Sequence, residues 1–98
     1  MTRVTARRVD LAPDVDIAGV VAGHPGEDLV LVIRPGRDAL SQAMVEAAIA
    51  PLAIAAAPGA RINAVIPAEG AADEAIAAAV DYLAAAHAVT GQSLAVGI

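Results

Sequence analysis

The sequence lacks several residue types that carry chemistry. Its 98 residues include no cysteine, tryptophan or phenylalanine, and Tyr82 is its one aromatic residue. Without thiols there is no disulfide framework, thiolate nucleophile or cysteine metal ligand. His24 and His87 are the only imidazoles, and they stand in different segments, far from the spacing of a metal-binding pair, so zinc is not expected. With one aromatic ring, a ligand pocket would have few large anchors.

Basic residues are also scarce. Six arginines stand against eleven acidic residues, which gives a net charge of -5. Nucleic acids and anionic membranes both require a positive face, so neither is expected as a partner. Three of the arginines, Arg3, Arg7 and Arg8, lie close together near the start of the chain. They form either a local anion-binding patch or the charged edge of a sheet, where charge prevents aggregation between strands.

No apolar run has the length of a membrane span. The apolar, charge-free stretch 47–60 contains two prolines and is too short to cross a bilayer. The first residues lack the apolar core of a signal peptide, so we expect a cytoplasmic protein. Yet 58% of the residues are hydrophobic, and a domain of this size buries only about two-thirds of its unfolded surface. Some apolar surface is therefore expected to face a partner.

The apolar pattern predicts strands that alternate with helices. Short branched runs at 29–33, 62–66 and 93–98 are typical of strands buried on both faces, and an alternating segment at 3–11 is typical of an edge strand. Helical spacing and flanking breakers predict helices at 14–22, 38–57 and 71–86. The order predicts one α/β domain over residues 1–98, with about four mostly parallel strands and about three helices.

The middle helix has an unusual composition. Beyond Glu46 it reads AAIAPLAIAAA, with no polar face. A helix that is apolar on every side is expected to be buried on every side. The last predicted helix has a polar face, marked by Asp73, Glu74 and Asp81, and is expected to be half exposed.

Two motifs resemble a known family. The segment RINAVIP at 61–67, which follows Ala57-Pro58-Gly59, resembles the strand R-V-N-A-V-A-P-G of short-chain dehydrogenases. The segment VTGQSLAV at 89–96 resembles that family's final V-T-G-Q-x-L-x-V-D-G-G, and the helix before it matches as well. The likeness covers about 38–96 and resembles the C-terminal half of such an enzyme. It implies a small Rossmann-like domain.

The same resemblance shows departures from the family. Its catalytic Tyr-x-x-x-Lys pair falls on Asp38 and Gln42, which can supply neither a phenolic proton nor a tuning charge. No Gly-rich cofactor turn is present. Pro67 is followed by Ala68 instead of glycine, and Gly97-Ile98 replaces the final Asp-Gly-Gly. The resemblance therefore implies a relative without catalysis and without a cofactor.

The matching segments are those from which the family builds its oligomers, the long helix and the final strand. The resemblance implies a module that pairs with a second copy or docks on a full-length reductase. Alternatively, the same helix residues fill the core of their own domain. The candidate interface residues are Ala47, Ala48, Ile49, Pro51, Leu52, Ala55 and Ala56.

A second hypothesis is a binder of a small anion or nucleotide. Open α/β sheets place ligands at the carboxyl ends of their strands. Arg34 and Arg37 follow one predicted strand and precede a helix, while Asn63 and Glu69 belong to the next strand and its exit. These four residues either gather into an anion site or are ordinary loop and strand residues.

Overall fold

The computed structural model describes residues 6–98 and confirms the predicted order of elements. The strands are β1 (Arg7–Leu11), β2 (Leu29–Ile33), β3 (Ile62–Pro67) and β4 (Ser93–Val96), and the helices are α1 (Ile17–Ala22), α2 (Ala39–Ala56) and α3 (Asp73–Ala85). The described first strand begins at Arg7. The beginning of its predicted range, with Arg3, lies outside the described residues.

The strands form one sheet in the order β1-β2-β3-β4. Every neighbouring pair is parallel: Arg7 is opposite Leu29, Leu29 is opposite Ile62, and Ala64 is opposite Ser93. The carboxyl ends of all four strands therefore point to the same edge of the sheet. The prediction of a mostly parallel α/β domain is confirmed.

The helices divide between the two faces of the sheet. On one face, Ile17 of α1 and Ile49 of α2 pack on side chains such as Leu31. On the other, α3 alone covers the sheet, with Ile76 and Leu83 among the residues it packs there. The strand order advances steadily while α3 changes face, so the β3–α3–β4 crossover has the opposite hand to the two before it. Since parallel crossovers are strongly biased to the right hand, this one is the left-handed exception.

Local signals explain where the helices begin. The carboxylate of Asp16 accepts the backbone N–H of Gly19 at 3.1 Å, and that of Asp38 accepts the N–H of Ser41 at 2.8 Å. Each satisfies a donor that the first helical turn leaves unpaired. Helix α3 lacks such a cap, but Asp73 and Glu74 lie in its first turn, where negative charge is favoured by the helix dipole.

The expectation that the long helix is buried on every side is wrong for the isolated chain. Only Ile49 and Ala53 of α2 are buried, because the helix lies on one face of a two-sided sheet with no second layer above it. Its outer side is exposed even though it is apolar. Helix α3 is half exposed as predicted, with Tyr82 65% accessible.

Candidate docking face

The carboxyl end of β1 carries an ion-pair cluster. Asp10 accepts from the guanidinium of Arg8 at 2.7 Å and from that of Arg34 at 2.7 Å. The hydrogen bond from Arg8, with a second from Arg34, holds the pKa of Asp10 below its ordinary value although partial burial opposes this. Arg34 is therefore engaged within the fold, and the cluster places charge on an edge strand, where it discourages pairing with another sheet.

Arg37 joins two loops. Its guanidinium donates to the carbonyl oxygens of Arg34 at 3.0 Å and Ala12 at 2.8 Å, with a longer contact to Val15. These bonds tie the loop after β1 to the loop after β2. Arg37 therefore holds the two loops together, at a position where an anion-binding residue was predicted.

Asn63 is at the opposite end of the sheet from the predicted ligand site. It is the second residue of β3 and is 1% exposed. Its Nδ2 donates to the carbonyl of Val89, and its Oδ1 accepts the N–H of Gln92, both at 3.0 Å. The assignment of Asn63 to a ligand site is wrong, because its amide is enclosed and already bonded. Glu69 is exposed beyond the carboxyl end of β3.

The carboxyl end of the sheet does not fit the pyrophosphate of a dinucleotide. The loop that links β1 to α1 contains Pro13, Asp14 and Asp16, where a dinucleotide fold needs glycines that let the backbone approach the phosphates. Two carboxylates there repel an anion, and the nearby Arg34 and Arg37 are bonded within the fold. Among residues 6–98, no group of three acidic or histidine side chains could hold a metal.

The two residues at the positions of the family's catalytic pair have local contacts. Asp38 caps α2, and the N–H of Ser41 holds the pKa of its carboxyl below the ordinary value. Gln42 donates from its side-chain amide to the Glu46 carboxylate at 2.8 Å, one turn along the helix. The contacts of both side chains are with α2 itself.

The outer side of α2 is an apolar surface, which we call the α2 face. Its large members are Leu40, Met44 and Ile54, which are 72%, 64% and 75% exposed. With Ala47 and Pro51 they recur every three or four residues, the spacing of a stripe along one side of a helix. Further exposed alanines complete this surface. The α2 face consists of Leu40, Ala43, Met44, Ala47, Ala50, Pro51, Ile54 and Ala55.

The candidate interface residues divide between the two sides of α2. Ala47, Pro51 and Ala55 are exposed and belong to the α2 face. Ala48, Leu52 and Ala56 are half-buried against the core beneath. The assignment of Ile49 to an interface is wrong, because it is 1% exposed and part of the domain's own core. Sequence periodicity could not separate the two sides, since both are apolar.

Two hollows lie along the side of α2 that faces α1. One, of about 430 Å³, is between the start of α2 and the loop that leads into α1; its lining includes Asp14, Asp16, Met44 and Ala48. The other, of about 220 Å³, is near the end of α2 and is lined in part by His24 and Ala55. They exist because α1 has only six residues against the eighteen of α2. The exposed surface on this side of α2 is therefore uneven.

Helix α2 also meets the length and hydropathy criteria of a membrane span, with 18 residues and a mean hydropathy of 1.5; it is the one helix of the described residues to do so. The charge-free stretch from residue 47 covers only part of this window, which also contains Glu46. The result rests on length and composition alone. In the fold, the inner side of α2 contacts the sheet through Ile49 and Ala53.

These features define a small Rossmann-like α/β domain whose most prominent surface is an exposed apolar helix. The model of the SDR-like family, described as short chain dehydrogenase-like protein, matches residues 8–96. The chain therefore belongs to the SDR-like family. The match extends the likeness from 38–96 to nearly all of the chain. No curated protein and no solved structure matches it significantly.

Proposed function

We propose that this chain is a non-catalytic SDR-like module that docks through the α2 face, either on a second copy of itself or on a full-length short-chain reductase. The exposure of Leu40, Met44 and Ile54 on one side of a single helix carries this proposal. Apolar residues scattered over a surface need no explanation, but a continuous apolar stripe is typical of an interaction site.

The small residues of the α2 face favour helix-to-helix contact. Ala43, Ala47 and Ala50 lie between the larger side chains, so the backbone of a second helix can approach closely. The large side chains Leu40 and Ile54, near the two ends of α2, would then pack beside the partner helix. The charged β1 edge, with Asp10 between two arginines, is a less suitable contact surface.

The absence of catalysis is the second part of the proposal. Aspartate and glutamine stand at the positions of the catalytic tyrosine and lysine, and neither supplies the proton transfer of that pair. The polar groups near the carboxyl ends of β1 and β2 are engaged in bonds within the fold, which also weakens the hypothesis of an anion binder. We include a cytoplasmic location in this proposal. Purified protein should leave NADH and NADPH unoxidised in the presence of carbonyl compounds.

Light scattering tests the docking. The chain is measured at micromolar concentration, alone and mixed with a purified full-length short-chain reductase from its host. We expect a complex in one of the two samples and its loss in the triple variant Leu40→Gln, Met44→Gln, Ile54→Gln. Tyr82→Gln is the matched control, because Tyr82 is also large and exposed but lies on α3. A monomer in both samples would refute the docking role.

A further inference from the structure

Carboxylates lie at the start and on the flanks of the α2 face, and their charge bears on which partner this face fits. Asp14 and Asp16 line the hollow beside Met44, and Asp38 caps the start of the helix. Glu46 is exposed one position after the half-buried Val45, which places it about 100° around the helix and thus on a flank of the face. We call these four carboxylates the acidic rim.

The acidic rim has no ion-pair partner among residues 6–98. The ion pairs in this part of the chain use Asp10, Glu27 and Asp28 instead. Two basic side chains approach this side of the sheet. Arg37 lines the same hollow as Asp14 and Asp16; its guanidinium donates to backbone carbonyls and keeps its positive charge, so four carboxylates face one guanidinium and the rim stays net negative. His24 lies near the other end of α2, with its Nδ1 2.9 Å from the carbonyl of Val20.

This charge pattern disfavours a second copy as the occupant. Parallel pairing of two α2 faces would bring both helix starts together, with Asp14, Asp16 and Asp38 on each side. Antiparallel pairing would bring the two Glu46 carboxylates to the same level, because Glu46 lies near the middle of α2. Like charges that meet across an interface oppose association. The end of α2 carries no basic residue that could offset this in the antiparallel case.

We infer that the occupant of the α2 face is a different protein, one that presents an apolar helix flanked by arginine or lysine side chains. This rests on the proposed docking function and specifies its partner. The apolar stripe supplies the contact area, while the acidic rim selects the partner's charge and its orientation. The rim also makes anionic membranes an unfavourable surface for this face.

Three synthetic helical peptides test the inference. All carry the same leucine and alanine stripe, and the stripe is flanked by arginine in one peptide, glutamate in the second and glutamine in the third. Binding of each labelled peptide to the purified chain is followed by fluorescence polarisation at low and high salt. We expect the arginine peptide to bind about tenfold more tightly than the glutamate peptide, with the difference shrinking in high salt because exposed charges are screened.

Two rim variants provide the matched comparison. Asp14→Asn and Glu46→Gln remove charge from opposite flanks of the face without removing a helix cap, and each should weaken binding of the arginine peptide by about two- to fivefold, the usual effect of an exposed charge pair. Glu74→Gln should leave binding unchanged, because Glu74 is also exposed but belongs to α3 on the other face of the sheet.

The outcomes separate this inference from the proposed function. Equal binding of the three peptides, or tightest binding of the glutamate peptide, would overturn the basic-rimmed partner while docking through α2 stands. A homodimer that is lost in the triple variant of Leu40, Met44 and Ile54 would also overturn the basic-rimmed partner and leave docking through α2 in place. No binding of any peptide by a monomeric chain would overturn both.

Discussion

The buried side chain of Asn63 accepts a hydrogen bond from the backbone N–H of Gln92 at 3.0 Å. Its Nδ2 donates to the carbonyl of Val89 at the same distance, so one amide connects β3 to the segment that leads into β4. The side chain of Asn63 therefore helps to fix the position of β4 beside β3. This explains the asparagine by packing and hydrogen bonding instead of ligand recognition.

Replacement of Asn63 by alanine should therefore destabilise the fold. The N–H of Gln92 would lose its side-chain acceptor and the carbonyl of Val89 its donor, and a cavity would form beside α3. We expect a loss of about 2–4 kcal/mol in the free energy of unfolding, measured by urea denaturation. Gln42→Ala serves as control, since its amide bonds only to Glu46 on the surface; equal losses in both variants would contradict the assignment.

The sequence predicted the elements better than their exposure. Branched apolar runs such as Leu29–Ile33 identify buried strands, because a strand in a parallel sheet is covered on both faces and so needs apolar residues at nearly every position. The predicted strand 62–66 already placed Asn63 at its amino end, but the two hydrogen bonds that enclose its amide come from the segment before β4. Those contacts depend on how distant parts of the chain pack, and an isolated motif does not contain this information. The exposure of Ile54 depends on whether a layer exists above α2. Alanine-rich sequence is equally compatible with a core and with an interface.

Asp10 should make stability depend on pH in acid. Its pKa lies below the ordinary 3.8 in the folded chain, chiefly because Arg8 bonds to it and secondly because Arg34 does. A lowered folded pKa gives a stabilisation that is complete above the unfolded pKa and is lost as the pH falls through the folded one. The pair is largely solvated, so Asp10→Asn should cost only about 0.5–1 kcal/mol at neutral pH.

The pH profile of unfolding checks this directly. Below the folded pKa of Asp10, the wild-type chain and Asp10→Asn should converge in stability, because the carboxyl is then neutral in both states. Glu69→Gln is the control, because Glu69 is exposed beyond the end of β3 and lies outside the Asp10 cluster; it should follow the wild-type curve. A constant gap between wild type and Asp10→Asn at every pH would mean that packing, and not charge, explains the effect.

Gly36 allows a turn that no other residue fits. Its φ is +126°, and a Cβ there would lie 2.8 Å from the Cγ of Pro13, in the loop that Arg37 also contacts. Gly70 has a φ of +85° with nothing within 4 Å of a Cβ. Both Gly→Ala variants should lose about 1 kcal/mol to backbone strain, and Gly36→Ala a further ~1–3 kcal/mol to the clash. Equal losses in urea denaturation would show that the loop relaxes around the added methyl group.

Two isoleucines of α2 separate the core from the α2 face. Ile49 is 1% exposed and Ile54 is 75% exposed, although they are five positions apart on the same helix. Ile49→Ala should lose about 2–5 kcal/mol of unfolding free energy, because it leaves a cavity between α2 and the sheet. Ile54→Ala should change the stability of the monomer by less than about 0.5 kcal/mol.

The two variants should differ most clearly in their effect on the complex with a docked partner. Ile54→Ala should then lower the thermal stability of the complex while leaving that of the free chain unchanged, since only the partner buries Ile54. Ile49→Ala should lower both alike, because its contacts lie within the domain. If Ile54→Ala destabilised the free monomer as much as Ile49→Ala, the outer side of α2 would be covered by the chain itself, and the α2 face would not be available for docking.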